Sequence, residues 1–242
     1  MITTPTLILE NYAESLEHAQ RHWSAQHSEP ATDDSSGRRA RALTVAVSRE
    51  AGTPGTSVAR EVGARLNWTV YDHELVELIA QEMGLRASLL ESVDEKQKSW
   101  LLECLESFAA SPSLTEGGYA RHVFETVVSL GTHGCCVIVG RGAAQILPTT
   151  TTLRVRLVGL LEDRIAAAAQ QQGLSHDVAA RWVREKDHER IQFVRTHFFQ
   201  DPTDPRLYDL VLNTSRWSVA ECADVIVQAL HQLEGRVAGT LR

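Results

Sequence analysis

Short apolar runs alternate with longer amphipathic stretches along the chain from about residue 43 onward. The run at residues 135–140 is continuous and apolar, which is typical of a strand buried on both faces of a sheet. The same pattern predicts five strands, at residues 43–47, 69–71, 135–140, 153–158 and 208–212. The stretches between them have helical periodicity, so we expect a parallel sheet with helices on both faces.

The two ends of the chain lie outside this alternation. Residues 1–26 carry apolar side chains near helical spacing and predict an amphipathic helix, and the polar residues 27–41 predict a flexible linker. This appendage is either a loosely docked tail or a helix for homodimer or partner contact, and the sequence leaves both open. Residues 42–234 are then expected to form the main domain, and residues 235–242 a frayed tail.

Two helical regions interrupt or follow the strands. Residues 85–130 contain no strand pattern and predict a helical insertion between the second and third strands. Residues 175–203 form a second, densely charged helical region. Its spaced charges are Arg184, Asp187 and Arg190, at positions i, i+3 and i+6. A solvated helix laced with salt bridges and a mobile basic helix that closes over phosphates both fit this pattern.

Composition and charge narrow the class of protein. The 242 residues are 43% hydrophobic and 23% charged, which is typical of a soluble globular protein. A net charge of −7 argues against general binding to nucleic acid or to anionic membranes. No apolar run approaches the length of a membrane span, and residues 1–20 lack the basic start of a signal peptide. Four cysteines without a C-x-x-C pair suggest reduced thiols, so we expect a cytoplasmic protein.

The loop after the first strand carries the first candidate chemistry. Residues 52–55 read G-T-P-G, and a helix is expected to begin directly after them. A strand, a glycine loop and a helix N-terminus make a phosphate cradle, because loop amides and the helix dipole point at the anion. The full P-loop pattern places a lysine before the hydroxyl residue. Here Ser57 supplies the hydroxyl, no lysine is present, and Arg49 is the nearest cation, so an ordinary turn remains the alternative.

Polar residues also follow the other predicted strands. Asp72, Arg141 and the Asn213-Thr214 pair come at strand carboxyl ends, which lie on one edge of a parallel sheet where ligands bind. Asp72 could instead cap the next helix, and Arg141 could form a surface salt bridge. The guanidinium of Arg141 suits a phosphate because it can donate two parallel hydrogen bonds. Arg164 stands in the first turn of a predicted helix, where the dipole disfavours a cation.

Taken together, these residues resemble the cytidylate kinase-like family, a branch near the bacterial cytidylate kinases among P-loop nucleoside monophosphate kinases. The resemblance covers about residues 43–232 and rests on several ordered motifs rather than on one glycine loop. The motifs are S-R-E-A-G-T-P-G-T-S-V-A at 48–59, Y-D-H-E-L at 71–75, V-I-V-G-R-G-A at 137–143, L-R-V-R-L-V-G-L-L-E-D-R-I at 153–165, K-D-H-E-R at 186–190 and Y-D-L-V-L-N-T-S at 208–215.

The resemblance implies a three-layer P-loop NTPase fold with a five-stranded parallel sheet in the order 2-3-1-4-5. Residues 85–130 would include the nucleoside monophosphate-binding region, and residues 175–203 would be a lid over the donor. The implied reaction transfers a phosphoryl group from ATP, with Mg²⁺, to CMP or dCMP, so the partners would be small nucleotides. A catalytically weak or inactive nucleotide-binding sensor of the same fold is the alternative.

Site residues are carried over by position. The positions implied for the donor nucleotide are Ser48, Arg49, Gly52, Thr53, Pro54, Gly55, Thr56 and Ser57. Ser57 would also help hold Mg²⁺, while Asp72 and Arg141 would bind the acceptor. The catalytic candidates are Arg141, Arg184, Asp187 and Arg190. Such a set suits phosphoryl transfer, which needs alignment and charge neutralisation more than covalent catalysis.

Three positions depart from the pattern of ordinary cytidylate kinases. Gly55 or Thr56 occupies the P-loop lysine position, Gly142 replaces the aspartate of G-R-D, and His73 replaces the serine of D-S-G. Losing one charge-assisted contact in such a site typically costs about 10²–10³ in rate. The cations available to replace the lysine are Arg49, Arg184 and Arg190.

Overall fold

The computed structural model of the protein describes residues 43–81, Leu89 and residues 118–239. The N-terminal helix and linker predicted for residues 1–41, and with them any homodimer or partner contact, lie outside these residues. The same holds for most of the helical insertion predicted at residues 85–130. Of the predicted tail, residues 235–239 continue the last helix rather than fray, because the helix runs to Gly239.

Five strands and seven α-helices make up the described part of the chain. The strands are β1 (Thr44–Arg49), β2 (Thr69–Tyr71), β3 (Cys136–Val139), β4 (Thr152–Val158) and β5 (Leu210–Asn213). The helices are α1 (Gly55–Leu66), α2 (His73–Gln81), α3 (Gly118–His133), α4 (Ala143–Ile146), α5 (Leu161–Gln172), α6 (His176–Phe198) and α7 (Val219–Gly239). A single 3₁₀ turn (Pro205–Leu207) precedes β5.

The strands form one parallel sheet in the order β2-β3-β1-β4-β5, which confirms the predicted fold and strand order. Strand β1 lies in the middle, with Val45 opposite Val137 of β3 on one side and Leu153 of β4 on the other. Val45 is fully buried, as expected of a central strand covered on both faces. The carboxyl ends of all five strands therefore meet at one edge.

Alternate residues of β1 point to two separate apolar layers. Val45 and Val47 join the cluster that α1 and α7 cover, while Ala46 joins the cluster under α2, α3 and α4. Each fully buried valine or leucine contributes about 1.5–3 kcal/mol relative to an exposed one. These two layers hold β1 in register and thereby fix the position of the loop that follows it.

Helices α5 and α6 form a third, smaller layer beside the carboxyl edge. Ile165 and Ala168 of α5 pack against Ala179 and Val183 of α6, and Ala51 from the loop after β1 joins the same cluster. Gly173 ends α5 in the left-handed conformation, so the chain can turn directly into α6. As a result, the highly charged α6 lies along the loop after β1.

Two details of the predicted elements differ from the structure. The last strand begins at Leu210 instead of residue 208, because the 3₁₀ turn extends to Leu207 and Tyr208 caps it. The four-residue helix α4 was not predicted, since one turn is too short to show helical periodicity. Among the described helices, none is both long and apolar enough to cross a bilayer.

Candidate active site

A cavity of about 930 Å³ opens at the carboxyl edge of the sheet, between the loop after β1, the loop after β3 and α6. Most of the predicted site residues meet there. Those that line it are Ser48, Arg49, Gly52, Thr53, Gly55, Thr56, Arg141, Asp187 and Arg190. The structure therefore brings these residues together at one cavity, and their roles stay predictions.

The loop after β1 is closed by its own backbone. Gly52 has a φ of +80°, and a Cβ there would overlap the carbonyl oxygen of Arg164, so only glycine fits. The amide of Thr53 donates to the carbonyl of Glu50 at 3.4 Å, and the amide of Gly55 donates to the carbonyl of Thr53 at 2.8 Å. These two amides are thus engaged within the loop. The amides of Thr56 and Ser57 follow Gly55 and precede the first helical hydrogen bond, from Val58 to Pro54, and the first turn has no acidic residue, so this end of α1 stays suited to an anion.

Arg49 extends from the end of β1 into the middle of the cavity. A Cβ on Gly55 would lie 2.8 Å from Cγ of Arg49, and a Cβ on Gly140 would overlap Nη1. The guanidinium Nη2 lies 3.3 Å from Nδ1 of His73. Arg49 is therefore held between the two glycine-bearing loops.

His73 is neutral in this arrangement. Burial, and then the charges of Arg49 and Arg141, lower the pKa of His73 to about 4. A neutral imidazole can present Nδ1 as a hydrogen-bond acceptor, and that is the role a guanidinium neighbour requires. His73 thus orients Arg49 without neutralising its charge.

Three guanidinium groups face one another in the cavity. Burial, then Arg190 and then Arg141 lower the pKa of Arg49 to about 9. Burial and Arg190 also lower the pKa of Arg141, and burial lowers that of Arg190. Among the described residues, no carboxylate forms an ion pair with Arg49 or Arg190. Such a cluster is unfavourable when empty and favours a bound polyanion.

Arg141 stands on a tight turn at the end of β3. Gly140, Arg141 and Gly142 all have positive φ, at +79°, +53° and +72°. The turn directs the guanidinium to Glu77 of α2, with which it forms an ion pair. Its Nε is buried and makes no hydrogen bond within the described part of the chain. Arg141 lines the cavity beside Glu77, a cavity residue that sequence reasoning missed.

Asp187 joins α6 to the loop after β1. Its Oδ1 accepts the amide of Ala51 at 2.7 Å, and its Oδ2 accepts Nη1 of Arg164 at 2.5 Å. The same Arg164 nitrogen donates to the carbonyl of Ala51 at 3.1 Å. This Asp187–Arg164 clasp explains the cation in the first turn of α5, because Arg164 is bound to the carboxylate of Asp187 and to the carbonyls of Ala51 and Gly159 rather than to solvent.

Glu50 anchors the two arginines beneath the cavity. Its carboxylate lies 3.4 Å from Nε of Arg164 and 3.8 Å from Nη2 of Arg156, and it accepts the amide of Gly159 at 3.1 Å. Nη1 of Arg156 also donates to Oγ of Ser48 at 3.3 Å. Arg156 and Arg164 are thus paired with a carboxylate, whereas Arg190 is only near the carboxylates of Asp187 and Glu189, and Arg49 is only near that of Asp72. Sequence reasoning missed Glu50, because nothing local marks a carboxylate whose partners lie on other strands.

Four predicted site residues lie outside the lining of the cavity: Pro54, Ser57, Asp72 and Arg184. Ser57 and Arg184 are exposed. On a helix each residue turns by about 100°, so Arg184 stands about 120° from Arg190 whereas Asp187 stands about 60° away. Asp72 accepts the amide of Leu75 at 3.0 Å and lies 3.7 Å from Arg60, so it caps α2. The structure supports the capping alternative for Asp72.

The described residues fit phosphates better than a metal ion. None of them form a group of three or more histidine, cysteine or acidic side chains arranged for a metal. Mg²⁺ in kinases is bound largely by substrate phosphates, with few protein ligands. Of the two hydroxyls at the start of α1, Thr56 lines the cavity and Ser57, the predicted metal ligand, does not. A magnesium ion here would rest mainly on the phosphate oxygens of a nucleotide.

An open parallel sheet with a glycine loop, a helix N-terminus and a guanidinium cluster at its carboxyl edge defines a phosphate-binding α/β protein. Residues 44–216 match the cytidylate kinase-like family, and the chain belongs to that family. This confirms the resemblance that the ordered motifs indicated.

Individual relatives cover smaller parts of the chain. A cytidylate kinase from Methanopyrus kandleri is 35% identical over 86 residues, which are 36% of this chain and 45% of that protein. A uronate isomerase from Corynebacterium glutamicum is 28% identical over 93 residues, which are 38% of this chain and 18% of that protein. The chain therefore spans less than half the length of these curated relatives.

A solved structure shares the fold over most of the chain. An uncharacterized protein from Eubacterium ventriosum superposes with a TM-score of 0.63 at 20% identity, covering 78% of this chain and 98% of that protein. At this identity the similarity establishes the fold alone.

Proposed function

We propose that the protein transfers a phosphoryl group from ATP to a nucleoside monophosphate, with CMP or dCMP as the acceptor. The observation that carries the proposal is the cluster of Arg49, Arg141 and Arg190, in which two guanidiniums lack a carboxylate partner among the described residues. Membership of the cytidylate kinase-like family supports the nucleotide as the polyanion and phosphoryl transfer as the reaction.

The donor and acceptor would enter from opposite sides of Arg49. The first turn of α1, with Gly52 and Thr56, would bind the donor phosphates, because its amides and dipole favour anions. Arg141 would bind the acceptor phosphate after releasing Glu77. Residues 85–130 would contain the acceptor-binding region, and residues 175–203, which include α6, would form a lid.

In the proposed reaction an oxygen of the acceptor phosphate attacks the γ-phosphorus of ATP. The new P–O bond forms as the bond to the β–γ bridging oxygen breaks, and ADP leaves with that electron pair. Negative charge is spread over the moving phosphoryl group, so fixed guanidiniums in a partly buried site stabilise the transition state. Mg²⁺, when bound with ATP, would neutralise part of the charge on the β- and γ-oxygens. Arg190 on α6 would add a third guanidinium to the cavity beside Arg49 and Arg141, and it would help exclude water.

The test is an assay of ADP release by the full chain with ATP and Mg²⁺, screening CMP, dCMP, UMP, AMP and GMP. We expect turnover with CMP or dCMP and a loss of about 10²–10³ in Arg141→Ala. Arg181→Ala is the matched control, because Arg181 is an exposed arginine on α6 outside the cavity. Equal rates in the wild type and in Arg141→Ala would contradict the proposal.

A second candidate is a nucleotide-binding sensor without turnover. Two observations favour it: no lysine stands at the P-loop position, and Asp187 is held in the clasp with Arg164. A sensor predicts ATP binding with no ADP release, together with a nucleotide-dependent change in sedimentation coefficient. Turnover that Arg141→Ala abolishes would exclude it.

A further inference from the structure

We propose that Arg49 takes the place of the missing P-loop lysine and contacts the transferred phosphoryl group from the end of β1. The inference rests on the proposed function, because it assigns a role within that reaction. In ordinary P-loop proteins the lysine reaches the β- and γ-phosphates from the start of the helix. Here the cation would reach the same region from the preceding strand.

The space around the Arg49 side chain supports this role. Gly55, one of the two positions that match the lysine, opens α1, and a Cβ there would lie 2.8 Å from Cγ of Arg49. The side chain of Arg49 therefore runs through the volume that a residue with a side chain at position 55 would need. On the other side, a Cβ at Gly140 would overlap the guanidinium. Two glycines on separate loops make the channel that Arg49 occupies.

The orientation of the Arg49 guanidinium also supports this role. His73 replaces the serine of D-S-G, and its Nδ1 lies 3.3 Å from Nη2 of Arg49. Gly55, which leaves room for Arg49, and His73, which contacts its guanidinium, thus act on one side chain. A flexible surface arginine would need neither of these features, whereas a phosphate-binding cation must be held in one orientation.

The hydrogen-bond donors in the loop after β1 also favour this role for Arg49. The loop amides of Thr53 and Gly55 are used within the loop, and the amide of Ala51 is used by Asp187. A phosphate that entered this loop would therefore meet fewer free amides than a glycine loop usually offers. The guanidinium of Arg49 can make up for them, because it presents several donors in a fixed plane.

The other cations near the site are less suitable. Arg184 is exposed and lies outside the cavity lining. Arg156 is compensated by Glu50, and Nη1 of Arg190 is engaged by the carbonyl of Arg49 at 3.2 Å. Within the described part of the chain, Arg49 is the one that extends between the two glycine-bearing loops.

A double-mutant cycle at positions 49 and 55 tests the replacement. Arg49→Ala should lower the rate of ADP release by about 10²–10³. Gly55→Lys alone should also lower it, because the new side chain meets Arg49. The double variant Arg49→Ala/Gly55→Lys should recover at least tenfold over Arg49→Ala, since the lysine then fills the emptied channel. Arg181→Ala should retain wild-type activity.

Binding provides a readout that does not depend on turnover. Calorimetric titration with inorganic tripolyphosphate and with a non-hydrolysable ATP analogue should show a loss of affinity of tenfold or more in Arg49→Ala, and affinity should return in the double variant. Circular dichroism should show that all variants keep the fold, because the changed side chains lie at the cavity and outside the two apolar layers of the sheet.

The outcomes separate this inference from the proposed function. If the wild type turns over CMP while Arg49→Ala keeps both its rate and its affinity, Arg49 is not the replacement and the kinase proposal stands. If the wild type shows no turnover but Arg49→Ala loses tripolyphosphate affinity that the double variant regains, the kinase proposal fails and the phosphate-binding role of Arg49 stands. An Arg49→Ala/Gly55→Lys variant that recovers neither rate nor affinity would overturn the inference.

Discussion

At the scale of single residues, the arginines of the site fall into two groups: those that form an ion pair with a carboxylate and those that do not. Arg156 and Arg164 share the carboxylate of Glu50, whereas Arg49 and Arg190 have no ion-pair partner among the described residues. Uncompensated charge in a partly buried site costs stability and is retained where function needs it. This contrast distinguishes structural arginines from those available to a ligand.

Replacing the two kinds of arginine should therefore change stability in opposite directions. Arg49→Met keeps most of the side-chain volume and removes an uncompensated charge, so we expect the ligand-free protein to gain about 1 kcal/mol. Arg156→Met leaves Glu50 with one partner fewer and should cost about 3 kcal/mol. Chemical denaturation of both variants against the wild type measures the difference. A loss of stability in Arg49→Met as large as that in Arg156→Met would contradict the assignment.

His73 should make stability depend on pH in the acid range. Its pKa is lowered to about 4 in the folded state, mainly by burial, from an unfolded value near 6.5. The unfolded state then binds the proton more readily, so this contribution to stability is present above about pH 6.5 and is lost as pH falls towards 4. Because the side chain is 38% exposed, solvent screening reduces the effect to about 1 kcal/mol. His73→Asn should flatten this part of the stability profile, and an unchanged profile would show that His73 is not perturbed.

At the scale of elements, the Asp187–Arg164 clasp sets the position of α6 over the cavity. Asp187 connects α6 to both the loop after β1 and the start of α5, through contacts of 2.7 and 2.5 Å. The exposed pair of Lys186 and Glu189 on the same helix makes no such connection. The placement of Arg190 at the cavity thus depends on one carboxylate.

Breaking this clasp should release the helix. Asp187→Ala removes the acceptor for Ala51 and one partner of the buried Arg164, so we expect a loss of about 3 kcal/mol and faster amide exchange along α6. Glu189→Gln, which alters an exposed pair, should change stability by less than about 0.5 kcal/mol. Hydrogen exchange and denaturation on both variants check this. Equal rates of amide hydrogen exchange along α6 in the two variants would show that the Asp187–Arg164 clasp does not hold the helix in place.

Elements were more predictable than contacts between them. The five strands followed from short apolar runs separated by helical periods, because burial on both faces leaves a local signal. Their order was implied by the resemblance to the cytidylate kinase-like family, and the sheet has that order. The contacts of Arg49 with Gly140 and of Glu50 with Arg156 join residues that are 91 and 106 positions apart in the sequence, by the difference of their numbers. No local pattern encodes such pairs, so the reason for glycine at position 55 emerged only from the folded chain.

At the scale of the whole molecule, an overall acidic protein carries a positive cavity. The net charge is −7, yet three guanidiniums meet at the carboxyl edge of the sheet. A bound polyanion would relieve their repulsion and would bind the folded state alone. Mass action then stabilises the fold by about 2.7 kcal/mol at a ligand concentration 100 times Kd.

Inorganic tripolyphosphate should therefore raise the melting temperature of the wild type, and added salt should reduce the shift because the groups are partly exposed. Arg49→Ala should show a smaller shift than the wild type at the same tripolyphosphate concentration. Arg181→Ala should behave as the wild type does, which controls for general surface charge. Identical shifts in all three proteins would mean that the cavity is not where the anion binds.

Phosphoryl transfer to a nucleoside monophosphate can be followed by ³¹P NMR of ATP, Mg²⁺ and CMP with the full chain. We predict that the γ-phosphate signal of ATP declines while signals of ADP and CDP rise together, and that Arg141→Ala slows both changes by about 10²–10³. Release of inorganic phosphate without CDP, or unchanged spectra with CMP, dCMP and the other monophosphates, would contradict phosphoryl transfer to a nucleoside monophosphate.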